Sequence, residues 1–141
     1  MDQLLDMSQA ELDELFRTSP PGEIPRGEGE GRVIALPDTP LGDVASKLAH
    51  LMAWKGKVFD PEKGELVNKI TPFGIQNIRA KVYKAESWFD GHECIVLDYS
   101  KTSLVAQWIR DEMREVGPGL YLGNVYWEKN RILNFALQFP G

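Results

Sequence analysis

From Ile78 onward the chain repeats one pattern, in which short runs of alternating apolar and polar residues are separated by residues that reverse the backbone. Alternation with a period of two marks a strand with one buried face. Ile78, Ala80 and Val82 alternate with Arg79, Lys81 and Tyr83 in a run that reaches about Trp88. Asp90-Gly91 follows, a pair suited to the positive φ angles of a tight hairpin, so Glu93 to Tyr99 is expected to return antiparallel. Leu120 to Trp127 and Ile132 to Phe139 form another pair around the polar turn Glu128-Lys129-Asn130-Arg131, with Leu133, Phe135, Leu137 and Phe139 on one strongly apolar face. Upstream, Lys55 to Asp60, the turn Pro61-Glu62-Lys63-Gly64 and Glu65 to Ile70 read the same way. Consecutive hairpins leave exposed edges unless the sheet closes, so the pattern predicts a mainly antiparallel β fold: a small barrel of seven or eight strands.

Two short helices are expected before the barrel. Ser8 with Glu11 three residues later is a capping-box pattern, and Leu12, Leu15 and Phe16 follow at helical spacing, predicting a helix over residues 8–17. Ser19-Pro20-Pro21-Gly22 ends it, and the Gly-, Pro- and Glu-rich stretch to Gly31 reads as a loop or partly mobile linker. Residues 1–31 are therefore expected to form an acidic arm, and residues 32–141 the barrel domain. Val33 to Leu36 reads as a short strand, and Thr39-Pro40 opens a helix carrying Leu41, Val44, Leu48, Leu51 and Met52 on one face to about Ala53. His50, beside that face, reads as a structural histidine.

With 141 residues, 43% of them hydrophobic, the chain has the material for one domain with one core. Cys94 is its single cysteine, which excludes an internal disulfide framework and a zinc-type cysteine cluster. The net charge of −5 is unevenly placed: residues 1–31 hold eight acids and two bases, and the rest hold 13 acids and 14 bases. A nearly neutral body lacks the basic excess needed to neutralise nucleic-acid phosphates, so no nucleic-acid partner is expected. No apolar run approaches the roughly 20 residues of a membrane span, and the acidic start lacks the basic and apolar segments of a secretory signal. The expectation is a cytoplasmic protein without membrane insertion.

Ser103 to Val116 supports two readings. As a helix it gathers Val105, Trp108, Ile109, Met113 and Val116 on one arc; as a strand it sets Trp108, Arg110, Glu112, Arg114 and Val116 against Ile109, Asp111, Met113 and Glu115. The hairpin Val116-Gly117-Pro118-Gly119-Leu120 favours a strand from about Trp108, after a helical turn at Ser103 to Ala106.

Asp98-Tyr99, Ser103-Leu104-Val105-Ala106-Gln107-Trp108-Ile109-Arg110-Asp111-Glu112, Gly119-Leu120-Tyr121 and Val125-Tyr126-Trp127-Glu128 together resemble the central stretch of the phenolic acid decarboxylases, which are lipocalin-like barrels. In that family an arginine before the tryptophan and a glutamate closing the next strand handle an aromatic acid. Here Gln107 stands at the arginine position, and Glu128 matches the glutamate. The family's paired N-terminal tyrosines have no counterpart around Val58 and Phe59. Trp54-Lys55-Gly56-Lys57 is also similar to the first strand of lipocalin-like domains, which implies that Trp54 closes the barrel floor. The resemblance implies a lipocalin-like barrel.

Barrels of about eight strands have room for one small ligand. The leading expectation is binding of a small apolar or aromatic molecule, organic acids included. Trp54, Trp88, Tyr99, Trp108 and Tyr126 would form its walls, and Arg110 and Arg114, flanking Glu112 on one strand face, would anchor an anionic end. The rival expectation is a cofactor-free lyase, isomerase or cyclase in which Glu128 or Glu112 exchanges a proton. A third is a protein-interaction domain. No cofactor or metal is expected: His92, Glu93 and Cys94 point to alternate faces and are poorly placed to chelate together, and Cys94 lacks a positioned base. A homodimer stays open.

Overall fold

The computed structural model describes residues 1–34, 56–69, 78–101 and 107–140. Among them, α1 (Asp2–Leu5) and α2 (Gln9–Thr18) precede eight strands: β1 (Gly27–Val33), β2 (Gly56–Asp60), β3 (Glu65–Lys69), β4 (Ile78–Glu86), β5 (Glu93–Asp98), β6 (Ile109–Gly117), β7 (Leu120–Trp127) and β8 (Asn130–Gln138). Each strand pairs antiparallel with the next, and β1 also pairs with β8, so the sheet closes into a barrel. The helix expected up to Ala53 with His50, the wall residue Trp54 and the turn expected at Ser103 to Ala106 lie outside the described residues. Of the two readings of Ser103 to Val116, the strand holds for its described part.

One stretch departs from its sequence reading. Gly27 to Gly31, expected as loop, belongs to β1, which pairs with β2 through Gly29 opposite Lys57 and with β8 through Gly31 opposite Leu137. Glycine is poor in an isolated strand because it forfeits side-chain packing and loses the most backbone entropy. Here its missing side chain is the point. A Cβ on Gly29 would lie 2.5 Å from the Phe139 ring, so the strand survives because an aromatic side chain fills the space the glycine leaves.

The register sorts side chains into two faces. Leu97, Asp111, Val125 and Leu133 lie opposite one another across β5 to β8, and Ile95, Met113, Gly123 and Phe135 form the adjacent row. These rows face the interior, where Phe59, Leu66, Ala80, Val82, Tyr99 and Phe139 join them in one buried cluster. Val96, Glu112, Asn124 and Asn134 form an outward row.

That outer face is covered at β5 to β8. The capping box forms as the sequence predicts, with the Glu11 amide donating to Ser8 Oγ at 3.1 Å and the Ser8 amide to Glu11 Oε1 at 2.9 Å. Leu12 and Phe16 of α2 are buried against Cys94, Val96, Leu122 and Ala136. Arg131 grips Asp13 through two contacts at 2.7 and 3.1 Å, and Gln9 donates to Asn134 at 2.8 Å. The segment after α2, expected to be loosely tied, is anchored as well: Pro21 O accepts from the Glu115 amide at 3.2 Å and Glu23 O from the Tyr121 hydroxyl at 2.6 Å, while Ile24 packs against the interior cluster. The apolar stripe of α2 has to leave water, and the apolar outer wall of β5 to β8 is where it does so.

Candidate functional site: a buried lysine, tyrosine and aspartate

Three polar side chains meet inside the barrel. Lys57 enters from β2, Tyr99 follows the end of β5, and Asp111 projects from β6 between Ile109 and Met113 on the inward face. Lys57 and Asp111 have no solvent exposure, and Tyr99 has 1%. Lys57 Nζ donates to Tyr99 Oη at 2.9 Å and lies 3.6 Å from Asp111 Oδ2, and the Tyr99 hydroxyl lies 3.4 Å from that same oxygen. The ammonium end also sits near two ring faces, 5.6 Å from the centroid of Tyr99 and 5.8 Å from that of Phe135.

Burial dominates the electrostatics of the pair. It lowers the affinity of Lys57 for its proton, with Asp111 acting in the opposite sense. Burial pushes the Asp111 carboxyl up to about 6, against the pull of Lys57 and the Tyr99 hydroxyl. Both shifts bring the pair toward its uncharged form. Asp111 Oδ1 has no hydrogen-bond partner, an unusual state for a buried carboxyl oxygen. The cluster therefore leaves one buried acceptor position, on Asp111 Oδ1, beside the Lys57 and Tyr99 side chains.

Of the described residues expected at a site, Tyr99 alone faces this cluster. Arg110, Glu112, Arg114 and Tyr126 lie on the outer face of the barrel, because the inward side of β6 is the one carrying Ile109 and Met113. Four of the expected residues do meet, but outside, in a structural clasp. Glu112 accepts from Ser87 Oγ at 2.6 Å, the Trp88 amide at 2.7 Å and Arg110 Nε at 3.1 Å. The Arg110 guanidinium stacks 4.3 Å above Trp88, whose ring meets Tyr126 edge-on at 5.4 Å. Arg114 is buried beneath α2, where it donates to Asp90 at 2.6 and 2.7 Å and to the carbonyls of Phe16, His92 and Glu93.

Trp88 and Trp108 are 46% and 51% exposed and line no interior wall. Glu128 is exposed in the β7–β8 turn, where it and Lys129 both adopt positive φ, at 48° and 76°. Paired left-handed residues match the twist of a two-residue hairpin, so this turn is made without glycine. Cys94 lies under α2, and burial pushes its thiol up to about 12, which leaves it an inert apolar filler. No group of His, Cys, Asp and Glu suited to a metal ion occurs among the described residues.

Lys57 and Asp111 were the residues missed. The signal for Asp111 was present: a carboxylate between Ile109 and Met113 at a spacing of two must share their face. Lys57 stands likewise two residues before Phe59.

The architecture, eight antiparallel strands behind two N-terminal helices, is consistent with a lipocalin-like fold in general. It is similar to the crystal structure of a protein from Thermomonospora curvata, with a TM-score of 0.66 and 18% sequence identity over 96% of this chain and 89% of that one. Likeness at this identity speaks for the fold alone. No family model and no curated protein matches the sequence. No helix among the described residues is long and apolar enough to cross a membrane.

Proposed function

We propose that the barrel binds one small apolar or aromatic molecule whose polar end rests on Lys57, Tyr99 and Asp111. The observation that carries this reading is the unpartnered Oδ1 of Asp111, a fully buried acceptor inside an apolar wall. Leaving such an atom without a partner costs about 1–3 kcal/mol, a debt that a bound polar group removes. Lys57 is compensated by Asp111 at 3.6 Å, so the cluster carries no surplus positive charge. A neutral hydroxyl or carbonyl therefore suits it better than the carboxylate of an organic acid. Acid–base chemistry at Glu112 or Glu128 is not part of this reading, since one is saturated with donors on the outer face and the other is exposed in a turn.

The test is native mass spectrometry of the purified protein for a retained small molecule, followed by titration with 2-naphthalenemethanol. The double variant K57M/D111L removes both charges together, a change that is often neutral or stabilising in a buried pair. It should stay folded and lose about tenfold or more in affinity, equivalent to about 1.4 kcal/mol. Arg110→Met should bind as wild type does. Equal affinity in K57M/D111L and wild type would remove the cluster from the site.

A further inference from the structure

The same cluster has the parts needed for covalent capture. We propose that Lys57 forms a Schiff base with an apolar aldehyde or ketone, with Asp111 as the acid that drives dehydration and then as the counterion of the product. This rests on the ligand-binding reading and narrows its ligand class to carbonyl compounds.

A lysine attacks a carbonyl carbon only as the free amine, and a buried amine next to a proton acceptor is the arrangement that supplies one. Asp111 Oδ2 stands 3.6 Å from Nζ, with the Tyr99 hydroxyl within 2.9 Å of the nitrogen and 3.4 Å of the carboxyl oxygen. Transfer of one proton from nitrogen to carboxyl leaves the net charge unchanged and yields the nucleophile and the acid in one step. The low polarity of the surroundings favours that uncharged pair, and the directions of both proton affinities agree.

The open Oδ1 completes the geometry. Protonated there, Asp111 has a hydroxyl in need of an acceptor, and the oxygen of an incoming carbonyl is one. The carbonyl carbon then lies beside Nζ.

The reaction balances within these groups. The nitrogen lone pair forms the C–N bond as the C=O π electrons move to oxygen, which takes the proton of Asp111. Nitrogen transfers one of its protons through Tyr99 to the regenerated carboxylate. The resulting carbinolamine hydroxyl receives that proton and leaves as water, while the nitrogen lone pair closes the C=N bond. The sum is an amine, a carbonyl and a carboxylic acid going to an iminium, a carboxylate and water. The iminium keeps one N–H and faces Asp111, so the ion pair is restored after the bond has formed.

The full-length protein is incubated with 2-naphthaldehyde and sodium cyanoborohydride, which reduces an iminium to a stable secondary amine, and labelled peptides are mapped by mass spectrometry. Lys57 should be labelled about tenfold faster than the exposed Lys63, because its lowered proton affinity leaves more of it as free amine. Asp111→Asn keeps the amine and removes the acid, and should slow labelling at Lys57 by about a hundredfold, the low end for general acid catalysis, while Lys63 is unaffected. Folding of each variant is checked by its near-ultraviolet circular dichroism, and K57M/D111L serves as the folded blank. Tight binding of 2-naphthalenemethanol with Lys57 labelled no faster than Lys63 would overturn the Schiff base and leave the ligand reading standing. If neither the alcohol nor the aldehyde binds, both fall.

Discussion

Two buried ion pairs carry opposite meanings. Arg114 and Asp90 are saturated: the guanidinium reaches both oxygens of Asp90 and three backbone carbonyls, and its central carbon lies 4.4 Å from the centroid of the Phe16 ring. Lys57 and Asp111 are fully buried, yet one carboxyl oxygen is unsatisfied. A saturated pair is architecture; an unsatisfied one is a place where something else can bind. The Arg114 hydrogen bond holds the Asp90 carboxyl below its ordinary value of 3.8. A carboxyl whose proton affinity is depressed by folding stabilises the fold above its unfolded value and loses that contribution as the pH falls through its folded one. Asp90→Asn should therefore cost about 3 kcal/mol at pH 7, because it strands a buried guanidinium. The gap to wild type should shrink below pH 3.8. Urea titrations at pH 7 and pH 3 measure it, and a gap that stayed constant would show that the pair does not feel the protonation of Asp90.

At the scale of elements, β1 shows how a strand forms against its own propensity. Its Gly29 sits where the Phe139 ring, from the segment after β8, presses on the backbone, and Gly123 of β7 meets Phe135 in the same way. Gly29→Ala should cost about 1–3 kcal/mol through overpacking against Phe139. In a Phe139→Leu background the same change should cost less, so a double-mutant cycle reads the contact directly. Additive effects would mean that the ring does not occupy the glycine's space. The α2 helix shows the complementary case, in which the local signal was sufficient: capping box, apolar spacing and a proline stop all agree with Gln9–Thr18.

For the whole molecule, closure and cover decide where stability concentrates. Every strand has two hydrogen-bonded neighbours, and β5 to β8 are also covered by α2 on the outside. Amide exchange should be slowest in β5 to β8, faster in β3, and fastest in the four-residue α1. Exchange from β5 to β8 no slower than from β3 would mean that the helical cover adds nothing to cooperativity. The register that turns Ile109 and Met113 inward removes Arg110, Glu112 and Arg114 from any interior role. It places the buried Asp111 on the opposite face of the same strand.

The alternating runs, the Asp90-Gly91 and Gly117-Pro118-Gly119 turns and the Ser8 capping box are local signals, and they sufficed for antiparallel strands, a closed barrel and the α2 helix. They also put Tyr99 on the face it shares with Ile95 and Leu97. Which face of β6 turned inward was not local: both faces carry charges, and only the pairing of Asp111 with Leu97 and Val125 set it against the core. The strand through Gly27 to Gly31 likewise depended on the Phe139 ring, more than a hundred residues away from Gly29. Lys57 and Asp111 meet because closure brings β2 and β6 to one interior, a proximity that no spacing along the chain encodes.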